Sequence, residues 1–585
     1  MSKVHVFPKL SLLVLFVLAL TACAPAATQA PASSDVTEAP AVAETTEAPA
    51  ATEEAAAAPT EAVETASVTE APAEPAVAEP EVGGNLVVGL TGDPYNLATW
   101  ISNDLNSSLV MNLVLPSMMV TNENGNKVPF VLEEYQVSDD GKVYTLKLHE
   151  GLTWHDGVPL TAEDLVFTSQ YLPEYQLSYG ADMFSDVALA EVVDETTARF
   201  TLNNPSANFA SQVGFWIDIM PKHIYEGVTD PMNFEYNGVG YGPYKIKEFK
   251  KGEYYSLERV PDWPLANNGA GAYVETITFR IYPDPNALVL AMMNGEVDVS
   301  GSALPMAAQK QLESAPDQFG IERVKSLGYG YFSFSYKNEL LADVNVRKAL
   351  AMTIDRDALV NIAMQGGAIR MDTPISPVYT DLVASNITFP AFDVEGAKQV
   401  LEDAGYKDTD NDGVRESANG TKLEFELIMR TTTANADAIA NVFKANAEAA
   451  GVKINILMVE PATYTERVTA GHNYDINAID WGVIDDADSS LDTVYLSTAQ
   501  LNFMEFKNEK IDEILTAVKQ EPDYAKRVEL MNQFQEEFVK ELPTVNTWVR
   551  INAYGYSKKF AGWQLTPGLY GFVDAKDLIN VYQVK

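Results

Sequence analysis

The stretch Asp408-Thr409-Asp410-Asn411-Asp412-Gly413-Val414-Arg415-Glu416 has the chemistry of a cation loop. Carboxylates at its positions 1, 3 and 5 with glycine at 6 match the spacing by which an EF-hand-type loop wraps Ca²⁺; the glycine gives the sharp turn and Val414 offers its carbonyl. Position 12 is Asn419 rather than the usual bidentate Glu, and Glu416 at position 9 replaces it only in part. Asp408, Asp410, Asp412, Val414 and Glu416 thus form a candidate structural calcium site. The plainer reading is an acidic turn between a helix and a strand. No other cofactor is expected.

A second candidate lies between Tyr474 and Asp492. Ile476, Ala478 and Asp480 alternate like the end of a strand, Trp481 follows, and Asp485, Asp486 and Asp488 occupy the loop beyond. In open α/β sheets ligands bind outside the carboxyl ends of strands, so this loop is placed at a cleft. Trp481 is a candidate aromatic wall and Asp485 a candidate partner for a cationic ligand group. A core Trp and a solvated acidic loop are the alternatives.

Catalytic chemistry is poorly supplied. His149, His155, His223 and His472 are the only histidines beyond the leader, and no Gly-x-Ser-x-Gly, His-Glu-x-x-His or phosphate-cradling glycine loop occurs. A glycosidase needs only two carboxylates, so a surface hydrolase stays as the rival from another class. The expectation is a protein that is not an enzyme.

Composition narrows the partners. The 585 residues carry 82 acidic against 40 basic side chains, a net charge of -42. Such a chain repels phosphate backbones and anionic head groups, which argues against nucleic acid and against membrane binding through basic patches. With 46% hydrophobic residues it can fill a large core, in roughly two to four domain-sized units. Cys23 is the one cysteine, so the body has no internal disulfide and no Cys-based zinc site.

Cys23 closes Leu20-Thr21-Ala22-Cys23, after Lys3, Lys9 and an apolar run from Leu10 to Leu20. The run is shorter than the about 20 residues of a membrane span and suits a signal peptide over residues 1–22. Its last four residues resemble the bacterial lipobox, which implies that Cys23 is a lipid anchor holding the protein at the outer side of the cell membrane. Residues 23–84 are almost wholly Ala, Pro, Glu, Thr and Val without Lys or Arg, and read as a disordered tether. Two lysines in the leader and twelve acids in the tether leave -32 on the body from Asn85.

Regular elements must position the candidate groups. Leu423, Phe425, Leu427 and Met429 alternate as a strand, Ile439, Val442, Phe443 and Ala447 follow at helical spacing, Gly451 ends the helix, and Val452, Ile454, Ile456 and Met458 alternate again. A second strand-helix-strand unit runs from Ile277 through Asp284-Pro285 to Val299. Such units predict parallel pairing and an α/β class. Thr161, Asp355 and Asp393 stand where helix caps belong, and Pro173 is expected to close the first of those helices.

Five segments stand in order along this body: His149 to Asp164 with its His155-Asp156-Gly157 turn, Gly240-Tyr241-Gly242-Pro243-Tyr244, Asn294 to Asp298, Asn345 to Arg356 with Arg347, and Ala397 to Tyr406. Together they resemble the extracytoplasmic solute-binding proteins of the peptide/opine/nickel family, the binding components of ABC importers. The resemblance implies a periplasmic-binding-protein type II fold, two lobes around a hinged cleft. Lobe one is expected at 85–117, 223–328 and 548–585, an inserted subdomain at 118–222, and lobe two at 329–547. The implied ligand is a peptide, or an oligosaccharide or other small solute on the same fold, and the implied partner is a membrane permease served by a monomer. In that family a Trp precedes an Asp that holds a peptide's α-ammonium group. Here Ile484 stands three places after Trp481 and Asp485 one place later, so either a one-residue insertion restores the anchor or it is absent. By position, Asn103, Asp104, Tyr179 and Trp548 are candidates for the facing wall.

Overall fold

The computed structural model describes residues 80–585 except 102–103, 178–179, 434, 482–486 and 488–489. Cys23, Asn103, Tyr179 and Asp485 lie outside the described residues, as do the leader and nearly all of the tether.

Local chemistry sets most of the helix ends. Thr161 caps Ala162–Glu174, accepting from Glu163 N while the Asp164 carboxylate accepts from Thr161 N at 3.0 Å. Pro173 sits one residue inside the end of this helix rather than after it. Asp284 with Pro285 opens Pro285–Met293, and Asp355 and Asp393 cap Arg356–Ala358 and Val394–Asp403. After Ala358 the chain continues as a π-turn from Leu359 to Ala363.

Glu424–Arg430 and Lys453–Val459 flank the helix Ala436–Ala449 and pair in parallel from Glu424↔Lys453 to Arg430↔Val459. Gly451 makes the return possible at φ +88°, a backbone state that other residues reach only under strain. The second unit is assembled differently. Thr276–Ile281 and Val299–Ser300 are both parallel to Asn85–Leu90, which lies between them. A strand nearly 200 residues earlier in the chain thus separates two strands that the local pattern leaves as neighbours.

One sheet of twelve strands unites two lobes, each with its own core. Thr544–Ser557 belongs to both halves: its first residues pair with Gly330–Phe334 and Ala368–Arg370, and its last with Phe319–Lys325 and Val299. The chain passes between lobes after Lys325 and along this strand, side by side, with Ser326 N donating to Arg550 O at 2.9 Å. Two adjacent crossings form a hinge axis, because a few backbone dihedrals suffice to turn one lobe on the other. A four-stranded antiparallel sheet, Leu132–Val137, Val143–Leu148, Thr197–Leu202 and Val187–Val192 in that spatial order, projects from the first lobe and shares its core.

Signature residues hold these parts together. His155 N donates to Gly240 O at 2.7 Å, Gly240 N donates to His155 Nδ1 at 3.1 Å, and His155 Nε2 donates to Gly242 O at 3.1 Å. Because Nδ1 accepts, the ring is neutral with its proton on Nε2. Burial holds its pKa down to about 4. A Cβ on Gly240 or Gly242 would stand 2.0 or 2.3 Å from the carbonyl oxygens of Val114 and Leu113, so only glycine permits the approach. In the second lobe the buried Arg347 donates to the carbonyls of Leu341, Ala342 and Glu541. Arg356 does the same for Asn546 and Pro390.

Candidate functional site

Beyond the carboxyl end of the strand Ile476–Asp480 lies a cavity of about 790 Å³ between the projecting subdomain and the second lobe. Asp186, Asn204, Gln212 and Trp216 line one side; Trp481, Asp492, Thr493 and Lys519 line the other. Its volume falls within the roughly 300–1,000 Å³ of ligand sites. Across its mouth Ala207 N donates to Lys519 O at 2.7 Å, and Lys519 Nζ pairs with the buried Asp492 at 2.8 Å.

Trp481 is set by the strand that precedes it. Its amide donates to Tyr329 O at 2.9 Å and its ring stacks on Tyr331 with centroids 5.6 Å apart and planes at 17°. The indole Nε1 is buried without a hydrogen-bond partner among the described residues, a donor that a ligand can satisfy.

The structure corrects two positional expectations. Trp548 does not face the cavity. It is 1% exposed in the second core, and its Nε1 donates to Asp480 Oδ1 at 2.6 Å beside the Arg550 guanidinium. The crossover strand turns this side chain toward the lobe-two interior, where Gly330 makes room: a Cβ there would come within 1.9 Å of the indole. Asp104 is a helix N-cap, accepting from Ser107 N at 2.9 Å and Ser107 Oγ at 2.5 Å at the head of Leu105–Met111. Its carboxylate serves the helix, while the neighbouring Leu105 and Ser108 reach a smaller cavity.

That smaller cavity, of about 260 Å³, shares Trp216 with the larger one. Trp100, Phe215, Tyr570 and Leu177 give it apolar walls, and Asp218 enters it with Thr99 Oγ1 donating to its carboxylate. Burial pushes the Asp218 pKa up to about 7. Sequence reasoning passed over Asp218. The available signal was a lone acid inside Phe215-Trp216-Ile217-Asp218-Ile219-Met220, where a charge has no local reason to sit.

In the acidic loop, single carboxylate oxygens of Asp408, Asp410 and Glu416 lie within 4.8 Å of one another. The Asp412 carboxylate is not one of the three: it accepts from Val414 N at 2.9 Å and pairs with Lys422, whose ammonium also holds Asp410 at 2.9 Å. Val414 meets the loop through this amide. Glu416 is 6% exposed; its Oε1 accepts from Thr409 N at 3.0 Å and its Oε2 is buried with no partner among the described residues. Of the four carboxylates that the spacing offers, Asp408, Asp410 and Glu416 are the three that lie together.

The family model described as bacterial extracellular solute-binding proteins, family 5 Middle, matches residues 126–502. The chain is 27% identical over 522 residues to the oligopeptide-binding protein AppA of Bacillus subtilis, covering 87% of this chain and 93% of that protein. It is 25% identical over 448 residues to the dipeptide-binding protein of Escherichia coli, covering 72% and 80%. The structure of B. subtilis AppA in complex with a nonapeptide matches with a TM-score of 0.68 at 25% identity over 87% of this chain and 100% of that one. The ABC transporter substrate-binding protein CtaP of Listeria monocytogenes matches at 0.75 and 24% identity, over 86% and 100%. The fold is that of the type II periplasmic binding proteins, two α/β lobes around a cleft.

Proposed function

Because the chain belongs to family 5 of the bacterial extracellular solute-binding proteins, we propose that it is the extracytoplasmic receptor of an ABC importer, closing its lobes on a peptide and passing it to a membrane permease. The observation that carries this reading is the cavity of about 790 Å³ with one wall on each side of the hinge. The names of the relatives in B. subtilis and E. coli support a peptide as the solute. Binding would use the Trp481 face and its free indole N–H, and closure would add contacts from Trp216 and Asn204. The reading is of a monomeric binder that releases its ligand unchanged.

Titration calorimetry and small-angle scattering with di- to nonapeptides test it. A peptide at 100 times its Kd should stabilise the protein by about 2.7 kcal/mol, compact it, and be recovered intact. Peptide cleavage would transfer the case to a hydrolase, and a response to oligosaccharides alone would transfer it to a sugar receptor.

The same reading has Cys23 as a lipid anchor at the outer side of the membrane. The lipobox-like Leu20 to Cys23 supports it, and no helix among the described residues is long and apolar enough to cross a membrane. Mass spectrometry of the mature protein should find a diacylated Cys23 at the N-terminus.

For the loop at 408–416 the reading is a structural Ca²⁺ held by Asp408, Asp410 and Glu416. Its support is the buried Glu416 Oε2, an oxyanion position without a donor beside two further carboxylates. Lys422 supplies the positive charge to Asp410 and Asp412, so an incoming ion has to displace it.

A further inference from the structure

We propose that Asp218 makes the smaller cavity a subsite for a cationic group of the bound solute, a lysine or arginine side chain or another alkylammonium. The inference rests on the reading of the chain as a solute receptor and specifies what part of the solute it selects.

Trp100, Phe215, Trp216 and Tyr570 with Leu177 and Leu569 make an apolar enclosure. A carboxylate has about four acceptor sites, and the Thr99 hydroxyl occupies one. Among the described residues no Lys, Arg or His pairs with Asp218. The titratable groups facing it are the phenols of Tyr236 and Tyr241, which burial keeps neutral. Burial raises the Asp218 pKa to about 7, so at neutral pH the carboxyl is about half protonated, and a cation entering the cavity would hold it in the ionised form. The Lys127 ammonium lies over the Phe215 ring, 3.4 Å from its centroid, and donates to Thr121 Oγ1 at 2.7 Å; it makes no ion pair with Asp218, whose cation is left to the ligand.

Trp216 is common to both cavities, so a ligand lying along the larger one can send a side chain past this ring. A volume of about 260 Å³ suits one long side chain rather than a peptide. The aromatic walls add ring faces, which attract ammonium and guanidinium groups. The backbone explains the aim: the chain leaves the helix Phe209–Trp216 extended at Ile217, Ile219 and Met220 bury themselves in the core, and Asp218 is left toward the cavity.

The experiment uses the full chain and an alanine pentapeptide series in which Lys or norleucine is scanned through every position. A parallel series measures the thermal shift with n-butylammonium against n-butanol. Both are run on the parent, Asp218→Asn and Asp218→Glu, with circular dichroism to confirm folding; the amide keeps the Thr99 contact and removes a buried charge. At one position Lys should bind at least about tenfold tighter than norleucine, equivalent to about 1.4 kcal/mol. The preference should vanish in Asp218→Asn and persist in weakened form in Asp218→Glu. Lys and norleucine within twofold at every position, or an unchanged preference in Asp218→Asn, overturns the subsite while leaving the peptide receptor standing. Stabilisation by butylammonium in the parent but not in Asp218→Asn, without binding of any peptide, supports the subsite and removes the peptide reading. Absence of both responses overturns the subsite.

Discussion

At the seam between the projecting subdomain and the first lobe, both ring nitrogens of His155 are engaged by the backbone of Gly240 and Gly242. At the cleft, Trp481 Nε1 has no partner among the described residues and Asp218 has a single hydroxyl. His155 and Arg347 close their hydrogen bonds internally, although Arg356 Nη2 and Trp154 Nε1 are buried without a partner among the described residues, and this closure makes His155 and Arg347 intolerant of substitution. The cleft leaves donors and acceptors open, a cost to the folded protein that a ligand can offset. The family segments mark the joints of the frame, and the candidate groups for recognition stand elsewhere.

The largest effect should come from a joint. Arg347→Met removes the donors to three backbone carbonyls, and stability in urea should fall by about 3–5 kcal/mol, with ligand affinity of the folded fraction unchanged. A loss under about 1 kcal/mol would mean that the clamp is dispensable and the contrast between frame and cleft is wrong.

Next is the pH response of the seam. The His155 pKa is about 4 in the folded protein against about 6.5 unfolded. The unfolded chain therefore takes up the proton first as pH falls, and stability present above pH 6.5 is lost between 6.5 and 4, by up to about 1.4 kcal/mol per pH unit and about 3 kcal/mol in all. His155→Gln should flatten that part of the profile; an equal slope in parent and variant would assign the loss to other groups.

Gly330→Ala should cost about 1–3 kcal/mol by forcing the Trp548 indole from its place beside the crossing strands, read as a lowered melting temperature. The cleft should behave oppositely. Trp481→Ala is expected to weaken the bound peptide about tenfold, near 1.4 kcal/mol, with little change in ligand-free stability. A variant that melts earlier but binds equally would make Trp481 part of the frame.

The smallest effect is expected at the acidic loop. Ca²⁺ at several times its Kd should add about 1 kcal/mol, and Lys422→Gln should enlarge the gain by removing the competing ammonium. Identical melting with Ca²⁺ and with chelator would leave an acidic turn held by Lys422.

Much of the fold was legible because its signals are short-range. The caps at Thr161, Asp284, Asp355 and Asp393 stand where side-chain chemistry four residues deep requires them. The unit from Glu424 to Val459 follows from alternation, a 3.6 period and a glycine. The acidic loop and Glu416 within it are legible from spacing, but Lys422, ten residues past Asp412, is not.

By itself, then, the sequence determined the α/β class, the family and most helix starts, since each depends on residues close in the chain or on a recurrent segment. Only the tertiary structure decided that Asn85–Leu90 separates Thr276–Ile281 from Val299–Ser300, that Trp548 turns into the core, and that Asp218 opens into a cavity beside Trp216. These outcomes depend on which distant surfaces close over a side chain. Periodicity reports that a face is buried, but not what it is buried against, and a cavity is defined by the partners that fail to fill it.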